Sequence, residues 1–486
     1  MRIDHVRPYV LEGLHAALNP RRIAVVGASR HPGKLGYEIV RSLLERGFKG
    51  EVLPVNPRTD EVQGRRAYKR LGDIEGEVDL AFIAVPSYIV RSVIEDCAAS
   101  GVKLAAIAAS GFKELGNGCL QDEITQVCRS RKLPLLGPNL LALGNPHYPF
   151  SCGLTPYEPL PGAVAVISQS GANLLAALGW SSTQALGISF FAGLGNKADI
   201  DFSEFIAYAG KDWSNTRAVA LYIEGMDSEE AFVESCEPVI PHTPVVALKA
   251  GASVIGRRAA MAHTASEPAA EDRHYDEVFE RAGVVRVKTL QDLLDSSLAL
   301  ALMPPTAGCN VGIVTNGGGS GLLAADEFER RGMGLQPLSE TSADLDRRVA
   351  VCTPPFGSHL NPIDLGASAS PGQFENVVLR LLKDRRIDGV LVSICPTSLT
   401  RISGIVKTLA GMAHLFSDLY KPLIVQLQGG ADCDAAIHHL RMNRIPAYPT
   451  PERAVAAFAA LRRYGAFRAR EPVSAASALV SSGGFN

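Results

Sequence analysis

The sequence predicts an α/β protein built from three doubly wound units, and three observations predict it. Short, nearly all-apolar runs alternate with amphipathic stretches, the pattern of parallel strands covered on both faces by crossover helices. A strand followed by a small polar turn and a helix recurs at the head of each unit: Val26-Gly-Ala-Ser, Ser168-Gln-Ser-Gly-Ala and Thr315-Asn-Gly-Gly-Gly-Ser-Gly. The chain has 486 residues, and at about 150 residues per domain three domains are the natural division.

Residues Met1–Pro20 are polar and helix-like. Arg22–Ala28 then reads as a buried strand ending at a glycine, with a helical pattern from Gly36 to Arg46. Glu51–Asn56 and Asp79–Val85 are the next strands and Val90–Ser100 the next helix; Leu104–Ala109 and Leu133–Leu136 continue the series, which closes near Asn145. A second unit opens at Gly162, takes strands from Ile188–Ala192, Ala218–Glu224 and Pro244–Leu248, and runs to about Pro304. The third begins at Cys309, with later strands at Gly389–Ile394 and Pro422–Gln426. The expected domains are therefore 10–145, 150–304 and 309–465, with Met303–Cys309 as linker and Arg468–Asn486, rich in Ser and Ala, as a loosely held tail.

Composition bounds the function. Apolar residues are 47% and charged residues 20%, a globular balance with ample core. A net charge of −2 without a basic block argues against nucleic acid as a partner. The nine cysteines are scattered with no CxxC pair, so neither a disulfide framework nor a zinc site is expected, and no metal ligands are assigned. No signal peptide opens the chain and no apolar run is long enough to span a bilayer, so a cytoplasmic protein with no membrane contact is expected.

Four segments carry chemistry. His263 lies in Gly-Arg-Arg-Ala-Ala-Met-Ala-His-Thr (256–264), read as a small-residue loop with room for a modification. An imidazole nitrogen is nucleophilic near neutral pH and can carry a phosphoryl group, although most single histidines are surface or satisfied core residues. The turns Ser168, Ser170, Gly171, Ala172 and Gly318, Gly319, Ser320, Gly321 each precede or open a helix, whose first N–H groups and positive dipole end suit phosphate. Tight βα turns also need glycine for steric reasons alone. The first turn, from Gly27 to Gly36, is neither a Walker A loop nor GxGxxG: five residues separate Gly27 from Gly33-Lys34, Leu35 stands where a magnesium-binding hydroxyl would be, and Ser29 replaces the second glycine. The second strand ends in Asn56-Pro57 rather than a ribose-binding acid, which disfavours NAD. Ser29, Arg30 and Lys34 before a helix suit a phosphorylated nucleotide such as coenzyme A.

Taken in order, these motifs carry a family resemblance over roughly residues 10–465: Val26-Gly-Ala-Ser-Arg, Val55-Asn-Pro, Ser110-Gly-Phe-Lys-Glu, Gly137-Pro-Asn, Ser168-Gln-Ser-Gly, Tyr222-Ile-Glu-Gly, Lys249-Ala-Gly, Ala262-His-Thr, Asn316-Gly-Gly-Gly-Ser-Gly, Asn361-Pro-Ile-Asp and Tyr448-Pro-Thr-Pro-Glu-Arg-Ala. The chain resembles the α-type subunit of the nucleoside-diphosphate-forming acyl-CoA synthetases, relatives of the succinyl-CoA synthetase α subunit. The resemblance implies a Rossmann-like CoA-binding domain followed by two flavodoxin-like ligase domains. It implies the reaction acyl-CoA + NDP + phosphate ⇌ acid + CoA + NTP through phosphorylated His263, with Glu224 accepting the imidazole Nδ1–H. It places Gly27, Ser29, Lys34 and Tyr37 around the CoA phosphates, Asn56, Pro57, Val85 and Pro86 around the adenosine, and Gly137 and Asn139 near the pantetheine. Asn56-Pro57 and Pro86 are also ordinary turn chemistry, and Glu224 without the family context reads as a surface carboxylate at a strand end. Magnesium and ADP or ATP would lie on a separate β-type ATP-grasp subunit, since no such domain follows Asn486. A small acid, acyl-CoA and phosphate are the implied ligands, and a hetero-oligomer or a homodimer the implied assembly. The chain departs from the family where Thr264 is followed by Ala265, Ser266, Glu267 and Pro268 instead of glycine. That departure keeps a second reading open, a CoA- or acyl-CoA-binding protein of the same fold that has lost phosphotransfer.

Overall fold

One strand order, 2-1-3-4-5, recurs in all three sheets. The computed structural model describes residues 6–264 and 272–470, with the side chains of 261–264 and 417 outside the description. In the first sheet the parallel order is Glu51–Val55, Arg22–Val26, Leu80–Ile83, Ala105–Ile107, Leu135–Leu136. The second repeats it with Ile188–Gly193, Pro161–Ser168, Ala218–Ile223, Val245–Lys249 and Val285–Val287. The third uses Ile363–Asp364, Val311–Thr315, Gly389–Ile394, Leu423–Leu427 and Ala447–Tyr448. The strands are almost wholly buried because helices cover both faces, so their sequences are continuous Val, Ile, Leu and Ala runs rather than alternations. In such an order the chain leaves the first strand in opposite directions, and a crevice opens at the carboxyl ends of strands one and three of each sheet.

The second sheet also carries two antiparallel strands, Ala142–Asn145 and Phe150–Gly153, on its Ile188–Gly193 edge. The segment expected to close the first unit thus pairs into the second. Ion pairs to two buried carboxylates reinforce the junction: Arg7 reaches Asp199 at 2.6 Å and Glu204 at 3.0 Å, and the exposed Arg129 reaches the same Asp199 at 2.9 Å. The first two sheets accordingly form one compact body, and the chain divides between Leu294 and Asp295.

That division lies inside the helix Leu290–Leu302, upstream of the Met303–Cys309 stretch expected to be the linker. The reason is local. Asp295 is buried in the second body, where its carboxylate accepts two bonds from Arg453 (2.7 and 2.9 Å) and its carbonyl accepts the Tyr448 hydroxyl (2.7 Å). The final helix, Pro451–Arg470, extends through the start of the expected tail; residues 471–486 lie outside the described residues. No described helix is long and apolar enough to cross a membrane.

Candidate functional site

The first sheet gathers most of the expected CoA residues at its carboxyl edge. Gly27 follows the central strand with φ +89°, and a side chain there would meet the Ala84 carbonyl at 2.6 Å. Only glycine lets the turn pass so close beneath the third strand. Gly36, in the first turn of the helix Leu35–Glu45, has the Gly27 carbonyl 2.0 Å from where a Cβ would stand. The helix is thereby drawn onto the strand, and its N-terminus opens at the crevice beside Ser29 and Lys34. Val85 and Pro86 follow the third strand on the far side of that crevice, and Asn56 and Pro57 follow the second strand. Asn56 is engaged in turn geometry: its Nδ2 donates to the Ala28 carbonyl (2.7 Å) and its Oδ1 accepts from Arg58 N–H (2.8 Å). Tyr37 is half-buried and its carbonyl accepts from Gln63. Gly137 and Asn139 follow the edge strand instead, two strands away from the crevice. There the Pro138 and Gly137 carbonyls accept N–H bonds from Asn196 and Ala198 (both 2.9 Å).

At the second sheet the crevice lies between Ser168 and Ile223, and the structure brings Ser168, Ser170, Gly171, Ala172 and Glu224 together there. The Ser168 hydroxyl accepts the Ser170 N–H (3.1 Å) and donates to its carbonyl (2.8 Å). The Ser170 hydroxyl caps the helix Gly171–Gln184 by accepting Asn173 N–H (3.4 Å). Both hydroxyls are thus engaged in shaping the turn. What the helix end offers an anion is backbone N–H, which in a first turn has no intrahelical partner. Glu224 is 8% exposed, so it is a buried group and not the surface carboxylate that its place at a strand end suggests.

Sequence reasoning passed over two residues of this edge. Gln169, between the two serines, sends its Oε1 across the crevice to accept the N–H groups of Glu224 (2.5 Å) and Gly225 (3.0 Å). It is the clamp that sets the backbone carrying Glu224. Lys249 ends the neighbouring strand; its ammonium donates to the Ala250 carbonyl (2.5 Å) and lies 4.5 Å from the centre of the Tyr275 ring. Burial pushes it down to about 8; Asp272 and Glu224 oppose that shift, while Arg286 and Arg257 add to it. A lysine closing an otherwise apolar strand was the available signal.

His263 is not on a loop. Its backbone belongs to the helix Val254–Thr264, and its side chain lies outside the described residues. Ser253 starts this helix, its hydroxyl accepting Gly256 N–H (3.0 Å), and Arg-Arg-Ala-Ala-Met-Ala continues it because alanine is the strongest helix former, however loop-like a run of small residues looks. The helix packs on the short turn Lys113–Leu115, part of the Ser110-Gly-Phe-Lys-Glu motif. Glu114 there accepts Gly111 N–H (2.6 Å) and the Asn196 amide (2.5 Å), contacts that hold its carboxyl below the usual range against the opposing effect of burial. The departures Ala265 to Pro268 lie outside the described residues.

In the second body the helix Gly318–Arg330 opens with Gly318, Gly319, Ser320 and Gly321, and no side chain caps it. Asp364 faces this end, its Oδ2 3.1 Å from where a Gly318 Cβ would stand. Among the described residues no group of three His, Cys, Asp or Glu could hold a metal ion.

Comparison with known proteins matches a CoA binding domain over residues 21–145, a succinyl-CoA ligase like flavodoxin domain over 161–300 and a ligase-CoA domain over 311–472. The α subunit of acetate–CoA ligase [ADP-forming] I from Pyrococcus furiosus is 36% identical over 94% of this chain and 99% of its own. Acetate–CoA ligase [ADP-forming] from Methanocaldococcus jannaschii is 34% identical over 93% of this chain, which spans 63% of that longer protein. The solved structure of dinucleotide-forming acetyl-coenzyme A synthetase 1 from Ca. Korarchaeum cryptofilum, in complex with phosphate and ADP, superposes with a TM-score of 0.86 at 36% identity, covering 94% of this chain and 97% of that one. With the repeated sheets and the crevice of Ser168, Gln169 and Glu224, these matches show that the chain belongs to the α-type subunits of the NDP-forming acyl-CoA ligases.

Proposed function

We propose that the chain interconverts acyl-CoA, NDP and phosphate with acid, CoA and NTP through phosphorylated His263, together with a β-type ATP-grasp subunit that holds magnesium and ADP or ATP. The observation that carries the reading is the near end-to-end match to a protein named as an α subunit, 99% of which aligns with this chain. CoA binds at the first sheet's crevice, where the N-terminus of Leu35–Glu45 and the Lys34 ammonium meet its phosphates. Phosphate, held by the N–H groups at the head of Gly171–Gln184, attacks the thioester carbonyl; CoA leaves as thiolate and an acyl phosphate forms. His263 Nε2 then attacks phosphorus and the acid leaves as carboxylate. Glu224 accepts Nδ1–H, fixing the tautomer that leaves Nε2 free and favouring the cationic ring. The phosphoryl group passes from His263 to NDP on the partner, and the helix end at Gly318–Gly321 is a second candidate anion site, within the body from Asp295.

The test is to incubate the chain with a β-type partner, magnesium and γ-labelled ATP beside the His263→Ala variant. Acid-labile, base-stable label on the wild type alone is expected. Equal label on both, or none on either, would refute the phosphohistidine. Loss of label with CoA still protecting the fold would favour the CoA-binding protein without phosphotransfer.

A further inference from the structure

The turn at Gln169 has an internal control. In the third sheet Thr315-Asn316-Gly317 holds the same place, at the end of the first strand and the head of the following helix. In both turns the first hydroxyl accepts the N–H two residues on, Ser170 to Ser168 at 3.1 Å and Gly317 to Thr315 at 3.0 Å. In both, the middle residue's amide oxygen accepts backbone N–H from the end of the third strand: Glu224 and Gly225 for Gln169, Cys395 for Asn316 (2.8 Å). The amide nitrogens differ. Asn316 Nδ2 donates to the Cys395 carbonyl (2.9 Å) and to Thr400 Oγ1 (3.0 Å). Gln169 Nε2 is buried with no partner among the described residues, in a residue only 5% exposed.

Two N–H groups converge on Gln169 Oε1, so the amide cannot be turned round. Its nitrogen is therefore held buried in the turn between the end of strand one and the head of a 14-residue helix, on the same amide that binds the Glu224 backbone. A buried amide nitrogen offers two donors and no acceptor, so only an acceptor can satisfy it.

We propose that Gln169 Nε2 is a ligand of the phosphate: it donates to an oxygen of the anion seated at Ser168–Ala172, while Oε1 of the same amide holds the backbone of Glu224. One side chain then couples occupancy of the anion site to the position of the carboxylate that serves His263. The same position in the third sheet has its amide closed on protein, so that turn lacks the side-chain donor. This inference rests on the reading that phosphate binds at Ser168–Ala172.

The test uses the enzyme assembled with its β-type partner, run from acetyl-CoA, ADP and inorganic phosphate, with Gln169→Glu and Gln169→Leu. The glutamate variant keeps both acceptor contacts to the backbone but offers charge instead of donors; the leucine variant offers neither. Both are expected to raise KM for phosphate about ten- to a hundredfold, the worth of one hydrogen bond to a charged group, with KM for acetyl-CoA unchanged. If Gln169→Leu does not fold, Gln169→Glu decides alone. A phosphate KM within about twofold of wild type in Gln169→Glu, or a rise in Gln169→Glu with none in a folded Gln169→Leu, overturns the proposal. A wild-type enzyme with no phosphate-dependent turnover overturns the functional reading, and this inference with it.

Discussion

Lys249 shows how one residue reports its surroundings. Its ammonium is desolvated at the sheet edge and pushed down to about 8, whereas in the unfolded chain it titrates near 10.5. Below pH 8 both states are charged and the burial costs stability in full. Between about 8 and 10.5 the folded protein releases the proton and the unfolded chain keeps it, so this residue makes stability rise with pH across that window. Lys249→Met removes the cost: the variant should be more stable than wild type at pH 7, by about 1–3 kcal/mol, and the difference should shrink towards about pH 10. Denaturant midpoints of both proteins at several pH values measure this, and a difference that does not change with pH refutes it. Asp272, Glu224, Arg286 and Arg257 act on the same ammonium, so the comparison is made within one background. The residue scale is also where the sequence said least. That Glu224 follows a strand was legible, but that it is buried, and that Gln169 holds its backbone from 55 positions away, depends on which strands lie side by side.

At the scale of elements the legible part was the interior. Central strands such as Gly389–Ile394 and Ala218–Ile223 are continuous apolar runs because both faces are covered. The parts missed are short or at edges: Val285–Val287, Ile363–Asp364, Ala447–Tyr448 and the antiparallel pair Ala142–Asn145 and Phe150–Gly153. Two to four residues make no period, and an edge strand's identity comes from its neighbour. The His263 segment was misread for the opposite reason, since small residues without bulk suit both loops and helices. The first crevice depends on an element that must close tightly, and Gly36 is where it closes. Gly36→Ala puts a methyl 2.0 Å from the Gly27 carbonyl, a clash with backbone that no rotamer relieves. The helix must move away, so the variant should lose about 2 kcal/mol or more of stability and bind CoA more weakly. Chemical denaturation and CoA titration check both; a variant with wild-type CoA affinity would show that the helix end does not face the ligand.

For the whole molecule, the division between Leu294 and Asp295 makes a claim about energetics as well as architecture. The body up to Leu294 contains the two sheets joined through Ala142–Asn145 and the Asp199 ion cluster, and with them the proposed CoA crevice. The body from Asp295 contains the third sheet, anchored by Asp295 to Arg453 and Tyr448. A ligand stabilises the cooperative unit it binds by RT ln(1 + [L]/Kd), about 2.7 kcal/mol at roughly a hundredfold excess over Kd. CoA should therefore raise the melting temperature of the first body and leave that of the second where it was. Arg453→Leu should do the reverse: it takes the bidentate partner from the buried Asp295 carboxylate, lowers the second transition and leaves the CoA-dependent shift intact. Calorimetry of the full chain with and without CoA, in wild type and variant, separates the two effects. A single transition that both perturbations move together would mean that the bodies unfold as one, and the crevice at Gly27 would then feel changes made at Arg453.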